Sequence, residues 1–138
     1  MELNDPTLID IIKIADRRGN LSVLQYPTNM PFDPVRTYWI SNVPAGMMRY
    51  GHAYYSAQEL VIALSGSFDV VTENVDGIKH FTLSRADRGL YIPAMTWREF
   101  TNFSTNGIAL VLSSSLYDEV DYIRDKEYFT KLISEADE

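Results

Sequence analysis

The sequence predicts an all-β chain, a mostly antiparallel β-barrel with one short C-terminal helix. Three observations carry this. The segments are short and rich in Val, Ile, Phe, Tyr and Trp, residues that fit a pleated, half-buried surface. Turn signals recur about every 8 to 12 residues, the rhythm of a sandwich or barrel. The period then changes in "DKEYFTKLISEADE", where Tyr128, Phe129, Leu132 and Ile133 fall three and four apart, on one side of a helix of about three turns packed on the sheet.

Each element follows in order. "LIDIIKIA" suits either a buried strand or a short helix. "GNLSVLQY" reads as a strand presenting Leu21 and Val23, and "PTNMPFDP", with three prolines, as loop. "VRTYWISNV" is a strand stopped by the turn "PAG". "GHAYY", "ELVIALSG" and "SFDVVTEN" follow, then the turn "VDG" and "IKHFTLSRAD". "RGLYIPAMT", "WREFTNFS" and "GIALVLSS" complete the strands.

Composition bounds the function. The 138 residues suit one domain spanning 1–138, and 46% hydrophobic residues suffice for one core. No cysteine is present, which excludes disulfides and thiolate metal sites, and two histidines exclude a site of three imidazoles in one chain. "MELNDPTLID" has no basic region followed by an apolar run, and no apolar stretch approaches the ~18 residues of a membrane span. The expectation is a soluble cytoplasmic protein. A net charge of −7 argues against long nucleic acid as partner. A small anion is allowed, because arginines supply most of the positive charge and a guanidinium fork matches two diphosphate oxygens.

Chemistry gathers in "RYGHAYYSAQELVIALSGSFDVV". Residues i and i+2 of a strand share a side, so His52 and Tyr54 look into one space. From Gly46 through His52, Tyr54 and Glu59 to Gly66 the spacing is G-x5-H-x-Y-x4-E-x6-G. It resembles the first motif of the cupin barrels, G-x5-H-x-H-x3–4-E-x6-G, whose histidines and glutamate bind metal. Gly89, Pro93, Arg98 and Asn102 resemble the second, G-x5-P-x-G-x2-H-x3-N, with one spacing shortened; Met95 stands for its inner glycine and Arg98 for its ligand histidine. The resemblance implies a cupin (RmlC-like) antiparallel β-barrel or jelly roll. An arginine stays protonated and offers no lone pair, so the expected site has no metal: a guanidinium takes its place.

A closer likeness lies near the end. "SSSLYDEVDYIRDKEYF" is similar to the signature S-x-x-Y-D-E-x-D-Y-I-R-x-x-x-x-F of the cupin-type nucleotide-sugar 3,4-ketoisomerases, the WxcM-like family. "DRRGNLSV", "RYGHAYYSAQEL", "LSGSFDVV" and "GLYIPAMTWREFTNFS" resemble further stretches of it. The resemblance implies action on dTDP-4-keto-6-deoxyglucose, moving its ketone from C4 to C3 without cofactor. That step serves the making of 3-amino deoxysugars for surface glycans such as lipopolysaccharide O-antigen. It also implies a homodimer that exchanges N-terminal strands. The family has histidine where this chain has Tyr54, lysine where it has Tyr55, and commonly glutamine where it has Glu59.

Moving a ketone to its neighbour needs a base for the α-proton, stabilisation of an enediolate, and an acid to reprotonate. Histidine titrates near the working pH, which makes His52 the expected base. Tyr54 is expected as proton donor or relay, its phenol pKa of about 10 lowered by Arg98 or Arg18. Tyr38 is a second phenol expected in the same barrel and joins the catalytic set. Arg18, Arg49, Glu59, Arg98, Tyr122 and Arg124 are expected to hold substrate; Glu59 is alternatively a strand-end carboxylate paired to an arginine. Tyr122 and Arg124 stand on the resemblance alone, since "DEVDYIRD" by itself reads as a solvated acidic face. Trp97, beside Arg98, is expected in packing, and His80 in solvent. Three functions stay open: this isomerase, a degenerate cupin that binds a sugar nucleotide without turnover, and a related epimerase or isomerase.

Overall fold

A computed structural model describes residues 3–136, apart from the side chains of Arg49 and Tyr50. Two five-stranded antiparallel sheets form the barrel. The first runs β1 (Thr7–Asp10), β9 (Arg88–Ile92), β6 (Glu59–Ser65), β11 (Ile108–Ser113), β4 (Arg36–Ile40). The second runs β12 (Tyr122–Ile123), β5 (Arg49–Tyr54), β10 (Trp97–Thr101), β7 (Phe68–Asn74), β8 (Gly77–Leu83). Between them lies an apolar core of Val61, Ala63, Phe68, Val70, Leu83, Leu90, Phe100 and Val111, each at most 2% exposed. The alternation in "FDVVTEN" is the strand period made visible: Phe68, Val70, Thr72 and Asn74 are buried, and the residues between them are half-buried.

Two expectations are refined. "LIDIIKIA" is neither one buried strand nor a helix. It breaks at the buried Ile11 into β1 and β2 (Ile12–Asp16), and β2 is exposed throughout. Among the described residues β2 pairs only with β3 (Gly19–Val23), so this hairpin joins neither sheet and is tied to the barrel by the Lys13–Asp87 ion pair (3.4 Å). The C-terminal helix α1 (Lys126–Ala136) buries Phe129 completely against Trp97, Ala53 and Ile123, with Leu132 and Ile133 packed beside them. Tyr128, expected on that face, is 47% exposed, and its hydroxyl instead meets that of Tyr55. Trp97 lies in this packing and His80 is exposed, both as expected.

The motif positions have backbone reasons. Gly66 turns the chain between β6 and β7 at φ +63°, a conformation glycine adopts without penalty. Met95 occupies the second motif's inner glycine position and keeps the left-handed backbone, φ +58°, at a cost of about 1 kcal/mol. Its N–H donates to the Tyr54 carbonyl (2.8 Å) and its side chain joins the packing under α1.

Candidate active site

The site is built where β5 meets β10. His52 and Arg98 are paired across the two strands, and a bulge follows between Arg98 and Phe100. Gly51 lets the strands approach, since a Cβ there would lie 2.8 Å from the Arg98 carbonyl oxygen. From this pairing His52 and Arg98 face the same cavity, of about 520 Å3, walled also by Arg36, Tyr38, Trp39, Ile40, Tyr117, Tyr122 and Arg124.

Beneath that wall lies a buried polar frame. Glu59 and Arg98 are 1% and 2% exposed. Arg98 Nε donates to Glu59 Oε1 (2.7 Å), and Nη2 donates to Glu59 Oε2 (3.3 Å) and to the Tyr38 hydroxyl (2.9 Å). The Tyr38 hydroxyl donates to Glu59 Oε2 (2.5 Å), and the buried Tyr54 hydroxyl donates to the same oxygen (3.3 Å). Burial would by itself lower the Arg98 pKa, but the Glu59 charge more than offsets this and holds the guanidinium firmly protonated. Tyr54 corrects an expectation. Burial first, and the Glu59 charge second, push its phenol well above the ordinary value, against the weaker pull of Arg98. Its hydroxyl faces the frame and it is not among the cavity-lining residues, so the lowered pKa expected of a relay is absent. Burial also raises Tyr38.

Above the frame the wall is aromatic and cationic. The rings of His52, Tyr54 and Tyr122 form a triangle with centroids 4.7–4.9 Å apart. Tyr122 reaches this place because β12 pairs with β5, Tyr122 opposite Tyr54. Asp121 fastens the junction: its carboxylate accepts from the Ser56 N–H (2.9 Å), the Ser56 hydroxyl (2.9 Å) and the Ala57 N–H (3.1 Å). Arg124 stacks over Tyr122 at 4.2 Å and binds Glu119 through two nitrogens, 2.6 and 3.0 Å. That pair draws the exposed Glu119 carboxyl down to about 2. Arg36 lies 5.7 Å over both Tyr38 and Tyr117, and its buried Nε has no hydrogen-bond partner among the described residues.

The expected residues thus separate. His52, Tyr38, Arg98, Tyr122 and Arg124 line one cavity. Glu59, expected at the substrate, lies under the wall with both oxygens engaged, because it neutralises Arg98; the reading of it as a carboxylate paired to an arginine holds. Arg18 is not brought to the cavity. It sits on the exposed β2–β3 turn, paired with Asp16 at 2.7 Å. The Arg49 side chain lies outside the described residues. Arg36, Tyr117 and Asp121 were missed. Arg36 was legible, since it stands two residues before Tyr38 on the same strand face.

Cupin sites often hold a metal, and these residues do not fit one. The carboxylate oxygens of Glu59 are taken by Arg98, whose charge would repel a cation. Among the described residues no three His, Cys, Asp or Glu side chains gather as a ligand set.

Two antiparallel sheets closed around an imidazole, phenols and guanidinium groups define a cupin-type barrel with an acid–base site. Its fold matches, at 18% identity, that of an rmlC epimerase from Mycobacterium tuberculosis (TM-score 0.74, 88% of this chain and 69% of that one). Residues 4–134 match the family model "FdtA: WxcM-like, C-terminal", and the chain belongs to this family. It is 34% identical over 127 residues to the TDP-4-oxo-6-deoxy-alpha-D-glucose-3,4-oxoisomerase of Aneurinibacillus thermoaerophilus, covering 92% of this chain and 91% of that one. It also resembles QdtA, a sugar 3,4-ketoisomerase of Thermoanaerobacterium thermosaccharolyticum solved with TDP (TM-score 0.92, 32% identity, 98% of each chain). A mutant of QdtA was solved with TDP-4-keto-6-deoxyglucose.

Proposed function

We propose that this chain is a sugar-nucleotide 3,4-ketoisomerase that converts dTDP-4-keto-6-deoxyglucose to its 3-keto isomer by metal-free acid–base chemistry. The observation that carries the reading is His52 on the wall of a cavity ringed by phenols and guanidinium groups, in a chain belonging to a family of such isomerases. His52 takes the proton from C3. Arg98 faces the developing enediolate with a charge fixed in place by Glu59, so little reorganisation is needed as the negative charge forms. Arg36 and Arg124, at the aromatic wall, suit the diphosphate. Tyr122 and Tyr117 offer faces to the sugar or the base. The product feeds deoxysugar assembly for surface glycans, in the cytoplasm.

The working form is a homodimer that exchanges N-terminal strands. The β2–β3 hairpin supports this: among the described residues it pairs with no strand of either five-stranded sheet, and Ile12, Ile14 and Leu21 are 44%, 57% and 58% exposed. Arg18, on this hairpin, meets a diphosphate only in a partner's cavity.

The reading is tested by incubating the purified chain with dTDP-4-keto-6-deoxyglucose and identifying the sugar by NMR. A 3-keto product is expected. Binding of dTDP with the ketone left at C4 would make the barrel a binding module, and neither binding nor turnover would overturn the reading.

A further inference from the structure

A carboxylate stands beside the part of the wall assigned to the diphosphate. Glu119 does not line the cavity, yet it holds two residues that do, Arg124 and Tyr117. Arg124 donates to it through Nε (2.6 Å) and Nη2 (3.0 Å), and the Tyr117 hydroxyl braces the same oxygen as Nη2 (2.5 Å). These bonds engage the Nε–Nη2 edge of the guanidinium and leave its Nη1 end for a ligand. Glu119 is itself firmly placed. It opens the short 3-10 turn Glu119–Asp121, which Asp118 caps by accepting from the Val120 N–H (3.1 Å) and the Tyr122 N–H closes on the Glu119 carbonyl. Asp121, at the end of that turn, is the residue fastened to Ser56 and Ala57. The carboxylate therefore rides on a fixed backbone.

Arg124 needs such a hold. Its side chain is 55% exposed, and a long side chain left so open samples many rotamers. Here two directed bonds fix the plane of the guanidinium, and stacking at 4.2 Å over Tyr122 fixes its depth. We propose that Glu119 is a positioning residue for anion recognition: it sets the Arg124 guanidinium for the diphosphate before the substrate arrives, and its removal weakens binding although its charge has the sign that repels the ligand. This rests on the sugar-nucleotide reading above and adds a residue that acts through the wall without being part of it.

Two effects oppose each other. On charge alone, losing a carboxylate beside an anion site tightens the anion. That gain is small, since the Glu119 side chain is 56% exposed and salt screens its charge. Ordering a long side chain only at the moment of binding costs affinity, and salt does not relieve that cost. Positioning therefore outweighs charge at ordinary ionic strength.

The experiment is calorimetric titration of dTDP into the wild type, Glu119→Gln, Arg124→Ala and the double variant, at about 0.15 M salt and above. Glu119→Gln is expected to bind dTDP about 2- to 10-fold more weakly than wild type, with the ratio holding or growing as salt rises. In the Arg124→Ala background the same change should alter the affinity by less than about 2-fold, because the group it positions is gone. A turn that merely supports the fold would weaken binding in both backgrounds alike. That result, or equal or tighter binding by Glu119→Gln alone, would overturn the assignment while leaving the sugar-nucleotide reading intact. A wild type that does not bind dTDP overturns that reading, and this inference with it.

Discussion

Glu59 decides the character of the site at the scale of the single residue. It binds Arg98, Tyr38 and Tyr54 at once in a place closed to water, which turns a mobile cation into a fixed one. Breaking a buried ion pair by removing one partner leaves an uncompensated charge. Glu59→Ala is therefore expected to lose about 3–5 kcal/mol of stability, read as a lower midpoint in urea unfolding. A loss under about 1 kcal/mol, the scale of an exposed pair, would mean that water reaches Arg98. The motif spacing made Glu59 visible as an inward-facing residue. It did not tell whether the carboxylate serves the substrate or another side chain, because that depends on Arg98, which is 39 positions away in sequence and adjacent only in the barrel.

At the scale of elements, the strands were legible because their period of two and their turns are local properties. The break at Ile11 was not, since a run such as "LIDIIKIA" is apolar enough for several fates and only the absence of a partner sheet exposes β2. The segment around Asp121 was also opaque. Its acidic run looks solvated, yet one carboxylate gathers three donors from the start of the β5–β6 loop and so holds Tyr122 beside His52. Asp121→Ala should cost about 1–3 kcal/mol, the range of hydrogen bonds to a charged group together with the donors left behind. It should also lower turnover beyond what the lost stability explains, because Tyr122 loses its anchor. Thermal unfolding and kinetics on the same sample check both; an intact turnover in a destabilised protein would show that the junction supports the fold alone.

At the scale of the whole molecule, the exposed hairpin predicts assembly. Sedimentation velocity should find a dimer for the wild type, and Ile14→Lys with Leu21→Lys should shift it towards monomer by placing charges on the apolar face. A monomeric wild type would overturn the exchange. The central claim is that one imidazole works above a buried frame, with Tyr54 part of the frame and not of the chemistry. The most direct measurement compares the turnover of dTDP-4-keto-6-deoxyglucose by Tyr54→Phe and His52→Asn. Tyr54→Phe keeps the ring triangle and loses the 3.3 Å hydrogen bond to Glu59 together with the hydroxyl's interactions with Tyr38 and Tyr122, so its turnover should stay within about 10-fold of wild type. His52→Asn should fall by roughly 10²- to 10⁴-fold, the scale of a lost acid–base group. A comparable collapse in a folded Tyr54→Phe protein that still binds dTDP would contradict the account and return the phenol to the reacting carbons.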